Sequence, residues 1–488
     1  MYKRQLLLAV LGSGAGCLFA HVGLKALVMV IPEGLIPPEA VIRVNLPVLL
    51  FGLAAAGVTA LVFGLVPALH TARGDLAEPL RDSGKGVSGG LRRGRLSGAL
   101  VVAEVALSMV LLAGAGLLMR SLVNLRAIDL GLNPQNVLFV RLRLPLGQYR
   151  TAAAKQQLFD QLLPRLQALP GVIAAAVASA VPLDGGITTG IDIPGKPHET
   201  TWSTLVQLCS EGYFRTAELR LLRGRLLSRE DVNSARSVAV VNETLARRDF
   251  GQADPIGRSM KVNVLETLSD GRVDNPTFEI VGVVADAKNH GIQNPPLPES
   301  FIPSSVTGAY GRSIIVRTAG SPLPLLNSVR REIWAVNPNL VVTETGTVAD
   351  ILRKSYVEPR FGLVVLGVFA CVGLVLVALG VYGVIAYTVS RQTHEIGIRM
   401  ALGAARGDVQ WMVLRMGLRL IGLGVVTGLL ASHAVTRVLG SQLWGVKPHD
   451  PLTLGTVVVV VAAAGVSACY FPARRATRVD PIVALRYE

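Results

Sequence analysis

Apolar residues in this chain are gathered into long blocks. Six runs approach or exceed the ~20 residues that a helix needs to cross a bilayer. They cover residues 6–30, 47–69, 97–120, 361–389, 414–439 and 452–471. Between the third and fourth runs, residues 121–360 alternate shorter patterns. The predicted fold class is therefore an α-helical integral membrane protein with six spans and a large α+β domain outside the membrane.

The long insert can be read segment by segment. Val137–Leu144 ends in apolar/polar alternation, the period of a strand. Thr151 can cap a helix whose apolar positions include Leu158, Leu162, Leu166 and Leu169, and Pro170-Gly171 ends it. Val172–Ser179 then predicts a returning strand. A second strand-helix-strand pattern runs through Ser313–Thr318, Leu325–Val336 and Leu340–Glu344. Between these lie strand patterns at Ser237–Asn242 and Phe278–Val284, with a short helix at Glu243–Phe250. Asn242-Glu243-Thr244 fits a glycosylation pattern and also a helix start; the helix start is preferred here. The segment reads as two β-α-β flanks around a β-rich subdomain.

Composition agrees with the blocks. Of 488 residues 51% are hydrophobic and 17% charged, against about a quarter charged in soluble domains. Mean hydropathy is +0.48. The net charge of +15 is assigned to membrane topology and not to nucleic acid, because the basic residues flank spans. The 70–96 loop holds Arg73, Arg81, Lys85, Arg92, Arg93 and Arg95. Arg391, Arg399 and Arg406 follow the fourth span, and Arg474, Arg475, Arg478 and Arg486 follow the last. The loops 31–46 and 440–451 hold only Arg43 and Lys447. Basic loops stay inside, so both termini are expected in the cytoplasm and the insert outside. Lys25 and Arg120 sit near outer span ends, against this trend. The first run lacks a cleavage site and is expected to stay as a helix. Cys17, Cys209, Cys371 and Cys469 show neither disulfide nor metal spacing.

The chain also repeats itself. Pro67-Ala68, Arg73, Asp75 and Leu80-Arg81 recur at one offset as Pro472-Ala473, Arg478, Asp480 and Leu485-Arg486. Gly16, Leu18 and His21 align with Gly428, Leu430 and His433. Two copies of a membrane hairpin with a basic tail are thus expected, the two histidines being polar packing groups.

Candidate chemistry is sparse. No catalytic constellation or metal-ligand spacing is visible; His198 and His290 are isolated, and Glu230-Asp231 reads as an exposed pair. A phosphate-binding loop of the form G-x-x-x-x-G-K-[ST] does not occur, so no ATP hydrolysis or cofactor is expected in this chain. Residues 395–403 form a short segment between two spans. On a helix Glu395 and Arg399 are four apart and can pair. Ile396/Met400 and Ile398/Leu402 would then form apolar ridges on either side, a surface able to enter a groove or simply a solvated helix. Glu104 lies inside the third span, where a charge costs about 3 kcal/mol or more. It is either a polar latch facing the bundle or a carboxylate near the inner interface. Ala113-Gly114-Ala115-Gly116 suits close helix packing, at a dimer seam or within one bundle.

Several of these segments resemble one family. Thr393–Ala404 resembles the cytoplasmic coupling segment of FtsX-like ABC permeases, and Arg478–Arg486 their terminal motif. Glu211–Arg225, Val240–Arg248, Asp254–Arg258 and Ile280–Asp286 resemble the MacB-like periplasmic core domain. Leu100–Ser108 with Gly114–Ser121 is similar to the duplicated orphan permeases of acidobacteria. The resemblance implies a MacB/FtsX-type permease subunit in the bacterial inner membrane, with its large domain in the periplasm. It implies a separate ABC ATPase docking at Glu395, Ile396, Gly397, Ile398, Arg399, Leu402 and Gly403. It further implies contact with membrane lipid, a homodimer or pseudo-dimer with a second FtsX-like half, and a periplasmic adaptor or substrate protein. Export or release of a substrate is one expectation. A mechanotransmitter that regulates a periplasmic partner such as a cell-wall hydrolase, and an inactive fragment, are the alternatives. Residues 1–96 are expected to be the last hairpin and tail of a first half, 97–124 the first span of a second, 125–358 the periplasmic core, and 359–488 a three-span region with coupling segment and tail. The family's first half is otherwise missing, so a truncated chain is expected.

Overall fold

The computed structural model describes residues 2–30, 46–54, 57, 88–145, 147–196, 202–268, 271–438, 445–446 and 450–477. The chain divides into two compact units, Met1–Asn124 with Val357–Glu488, and Leu125–Tyr356. The first holds helices α1 (Tyr2–Val30), α2 (Ser88–Arg126), α8 (Val357–Arg391), α9 (Thr393–Ala401), α10 (Arg406–Val438) and α11 (Pro451–Ala476). Helices α3 to α7 and all the strands belong to the second.

Among the described residues four helices are long and apolar enough to cross a membrane: Ser97–Arg126, Val348–Arg391, Arg406–Val435 and Pro451–Ala476. They coincide with the third to sixth predicted spans. The first predicted span is helical as α1. The second, 47–69, falls largely outside the described residues, as do the repeated tails from Pro67 and from Arg478. Six spans are therefore an expectation, and four are described.

Glycines set how closely the helices of this unit approach. A Cβ on Gly424 of α10 would lie 2.5 Å from Val105 Cβ of α2, and one on Gly428 would lie 2.7 Å from Met109 Cβ. Gly373 of α8 faces Ser108, and Gly465 of α11 faces Ile421. Lipid offers no hydrophobic drive for helices to associate, so backbone proximity and dispersion must hold them. Around these contacts Val105, Met109, Val377, Val381, Ile385, Val413 and Val461 form the buried core. The small-residue run at 113–116 takes part inside this bundle, with Gly116 against Thr453 of α11.

In chain order the outer unit holds β1 (Val137–Arg143), α3 (Ala152–Gln167), β2 (Val172–Ala178), β3 (Ile187–Asp192), β4 (Trp202–Cys209), α4 (Tyr213–Ala217), β5 (Leu221–Gly224), α5 (Arg229–Asn233) and β6 (Val238–Asn242). There follow β7 (Ser259–Val262), β8 (Thr277–Val284), β9 (Glu299–Pro303), β10 (Arg312–Thr318), α6 (Leu326–Val336), β11 (Val341–Thr347) and α7 (Val348–Ser355). The strand order is β11-β1-β10-β2-β4-β3-β7-β8-β6-β9, with β5 beside β8. Thr151 Oγ1 accepts from Ala154 N at 3.2 Å and starts α3 as read. Asn242 Oδ1 likewise accepts from Leu245 N at 3.0 Å, so this asparagine is a helix cap.

The two β-α-β flanks are not separate lobes. They interleave into one antiparallel sheet, β10 lying between β1 and β2 with Phe139 opposite Ile315 and Ile315 opposite Ala176. This is a split β-α-β arrangement. Strand side chains alternate faces. Leu138, Val140, Ile314 and Val316 therefore meet Leu162 of α3 and Ile333 of α6. Phe139, Ala176 and Ile315 join the other core with Tyr213, Phe214 and Phe301. The β-rich part closes on itself, because β4 also pairs in parallel with β9. The ring β4-β3-β7-β8-β6-β9 encloses Val206, Leu208, Val241, Met260, Phe278 and Ile302. Closure leaves fewer free edges for stray pairing.

One surface expectation is overturned here. Asp231 is buried, not exposed with its neighbour Glu230. It closes a capping box with Ser228 at the start of α5, and Arg225 donates to it at 2.5 and 3.2 Å. Burial raises its carboxyl, but the bonds from Arg225 and Ser228 outweigh that and bring it to about 2.

Candidate functional site

The segment between α8 and α10 carries the strongest candidate site. It is α9, nine residues long, and its two ends are well defined. Thr393 Oγ1 donates to Val389 O at 3.1 Å and Ser390 O at 2.9 Å, tying its start to the end of α8. At the other end Ala404 N donates to Arg399 O at 3.0 Å and Gly403 N to Met400 O at 3.1 Å. That pair of bonds is a Schellman turn, which needs a left-handed residue after the helix. Gly403 supplies it with φ +96°.

Within α9 the predicted residues separate into two groups. Ile396 is fully buried, and Gly397 is buried beside it. Met400 is half-buried against the same core as Val409 and Val413. This ridge of Ile396, Gly397 and Met400 packs α9 onto the bundle. The exposed side holds Glu395, Ile398, Arg399 and Leu402. Arg399 donates to Glu395 at 2.6 Å one turn earlier and reaches Met412 Sδ at 2.7 Å. Ile398 is 38% exposed and Leu402 83% exposed. Trp411, on the first turns of α10, is also exposed and was not singled out in the sequence. A short, rigidly terminated helix thus presents one apolar ridge beside a braced ion pair.

Glu104 lies deeper in the same unit. It is half-buried on α2 and faces Gly380 of α8, where a Cβ would come 2.3 Å from Oε2. Gly380 is thus the space into which the carboxylate fits, and it had no local signal in the sequence. Among the described residues Glu104 has neither an ion pair nor a hydrogen bond.

At the opposite end of the unit, Arg120 pairs with Asp450, and Asn124 Nδ2 donates to Gly445 O at 2.9 Å. Asp450 caps α11 by accepting from Thr453 N at 2.9 Å. Asp450-Pro451-x-Thr453 is the local sequence signal for this helix start. In the outer unit no group of three or more metal-ligating side chains occurs among the described residues. His290 is exposed there.

These features define a membrane-spanning protein with an outer α+β domain and a short inter-span helix. Comparison with known proteins is consistent along the chain. The model of the MacB-like periplasmic core domain matches residues 99–324, and that of the FtsX-like permease C-terminal region matches residues 367–481. The macrolide export ATP-binding/permease protein MacB of Chromobacterium violaceum is 26% identical over 284 residues, covering 57% of this chain and 42% of that protein. The uncharacterised ABC transporter permease YknZ of Bacillus subtilis is 24% identical over 357 residues, covering 70% of this chain and 82% of that protein. The crystal structure of the periplasmic region of MacB from Actinobacillus actinomycetemcomitans aligns with a TM-score of 0.31 and 17% identity, over 48% of this chain and 97% of that one. The chain belongs to the FtsX/MacB-like ABC permeases. It spans less than half the length of the MacB relatives that it matches.

Proposed function

We propose that this chain is the permease component of a MacB/FtsX-type ABC system. Motion driven by ATP hydrolysis in a separate subunit is received at α9, crosses the bundle, and moves the outer domain for export or release of a substrate. The single observation that carries the reading is the division of α9 into a buried face at Ile396–Gly397 and an exposed ridge at Ile398 and Leu402. A helix fixed on one side and apolar on the other can pass a push into a bundle, because packed interiors transmit strain. These 488 residues hold no phosphate-binding loop sequence, so on this reading the ATP hydrolysis is done outside them. Basic residues at this end support a cytoplasmic position.

The test is co-purification of the chain from its own membranes, followed by ATPase assays in lipid nanodiscs. Leu402→Asp is expected to reduce retention of the ATPase about tenfold or more, a loss of ~1.4 kcal/mol, with the fold intact. Ile396→Ala is expected instead to lower stability by about 2–5 kcal/mol, because it empties a buried site. Full retention of the ATPase by Leu402→Asp would remove α9 as the dock. An unmodified chain that retains no ATPase would remove the permease reading itself.

A further inference from the structure

The outer unit contains an open cleft of about 1110 Å³ between the split β-α-β sheet and the closed β-ring. Six cationic side chains line it, Arg141, Arg143, Arg150, Lys155, Arg272 and Arg312, and among the described residues no carboxylate does. Two of the six are already neutralised nearby. Arg141 pairs with Asp184 and Glu344, and Arg272 lies 3.5 Å from Asp274. Among the described residues the other four have no acidic partner.

Two of those four are deep. Arg312 is 2% exposed and Lys155 9%. Arg312 donates to five backbone carbonyls, those of Ser304, Thr307, Ala309, Tyr310 and Gly311, at 2.8–3.3 Å. Lys155 Nζ donates to Gly308 O at 2.5 Å and shares Tyr310 O at 3.1 Å. Carbonyl dipoles satisfy the N–H groups but leave the charge uncompensated, whereas buried charges are ordinarily paired. Burial, and then the charge of Arg312, lower the Lys155 ammonium to about 8, while burial lowers Arg312 to about 10. The first turn of the 16-residue α3 opens at the same place, Thr151 and Ala152 lining the cleft. A helix start favours an anion there. Leu142, Leu144, Leu268 and Val306 supply an apolar wall beside these cations.

We propose that this cleft binds a small anionic amphiphile. Its phosphate or carboxylate head lies among Arg143, Arg150 and Lys155, above the fixed charge of Arg312, and its apolar part lies along Leu142, Leu144, Leu268 and Val306. The ligand supplies a counter-charge that the described lining does not contain.

The experiment is titration calorimetry of the full chain in phosphatidylcholine nanodiscs, with empty nanodiscs subtracted. Hexyl phosphate, hexanoate, inorganic phosphate and hexanol are the probes. One saturable site is expected for hexyl phosphate or hexanoate, and the tighter of the two names the head group. Inorganic phosphate is expected to bind about tenfold or more weakly, and hexanol not at all. The exposed double variant Arg143→Gln/Arg150→Gln is expected to weaken binding about tenfold or more with unchanged thermal stability. Lys155→Met is expected to weaken it further, and the exposed pair decides the matter if that buried variant does not fold. Three results would each overturn the proposal: no saturable binding of either amphiphile, hexanol or inorganic phosphate binding as tightly, or an unaffected double variant. No ATPase is present in the measurement, so the cleft stands or fails apart from the permease reading.

Discussion

Arg120, in the last turns of α2, pairs with Asp450, the residue that caps α11. The arginine that counts against the topology is held by the carboxylate at the start of the neighbouring helix α11. Asp450 therefore does two things, ending the exposure of the first N–H groups of α11 and neutralising Arg120. Asp450→Ala removes both and is expected to lower the thermal midpoint of the full chain in nanodiscs. Asp450→Asn keeps a capping side chain and is expected to lower it less. Equal losses in the two variants would show that the cap adds nothing.

Close helix approach at Gly424 is the second expectation. A Cβ there meets Val105 Cβ at 2.5 Å and Val102 O at 3.2 Å, neither of which can swing aside. Gly424→Ala is expected to cost about 1–3 kcal/mol, the range for overpacking. Gly455→Ala, where nothing lies within 4 Å, is the control and is expected to change little. Denaturant titration in mixed micelles measures both. At Gly380 the obstacle is the flexible end of Glu104, so Gly380→Ala should fall between them.

Glu299 gives the outer domain a pH dependence. It is fully buried on β9, and both carboxylate oxygens accept from Asn289 Nδ2 at 2.9 and 3.0 Å. Burial pushes its carboxyl up to about 8, with the Asn289 bonds opposing. Its folded value lies above its unfolded one, so the native state binds the extra proton. This stability is present below about pH 4.5 and is lost as pH rises toward about 8. Thermal unfolding of the chain should therefore show a lower outer-domain midpoint at about pH 8.5 than at about pH 5.5. Glu299→Gln, neutral throughout, should flatten that slope; an unchanged slope would assign it to other groups.

Local signals in the sequence carried much of the fold. Thr151 and Asn242 were readable as helix starts because a capping side chain bonds within three residues of itself. β1, β2, β6 and β8 were readable because apolar runs or two-residue alternation mark their cores. Strands β3, β4, β5, β7 and β9 were not singled out. All but β4 are short, and β4 and β9 pair across a long stretch of chain, with Leu205 opposite Glu299. Asp231 was misplaced for a similar reason. Its burial depends on Arg225 and on the packing around α5, which hydropathy alone does not report.

By itself the sequence determined that apolar helices cross a membrane, that an α+β domain is inserted between them, and where a short helix with a Glu395–Arg399 pair falls. These follow from hydropathy and from spacings of a few residues. Only the tertiary structure decided which ridge of that helix is free. Ile396 and Leu402 are both apolar, yet one is buried by α10 and the bundle core while the other is left exposed. The same holds for the cleft. Lys155 and Arg312 are 157 positions apart in the sequence, and the fold alone makes them share the carbonyl of Tyr310. Charge and hydropathy are properties of residues; which residues meet is set by packing.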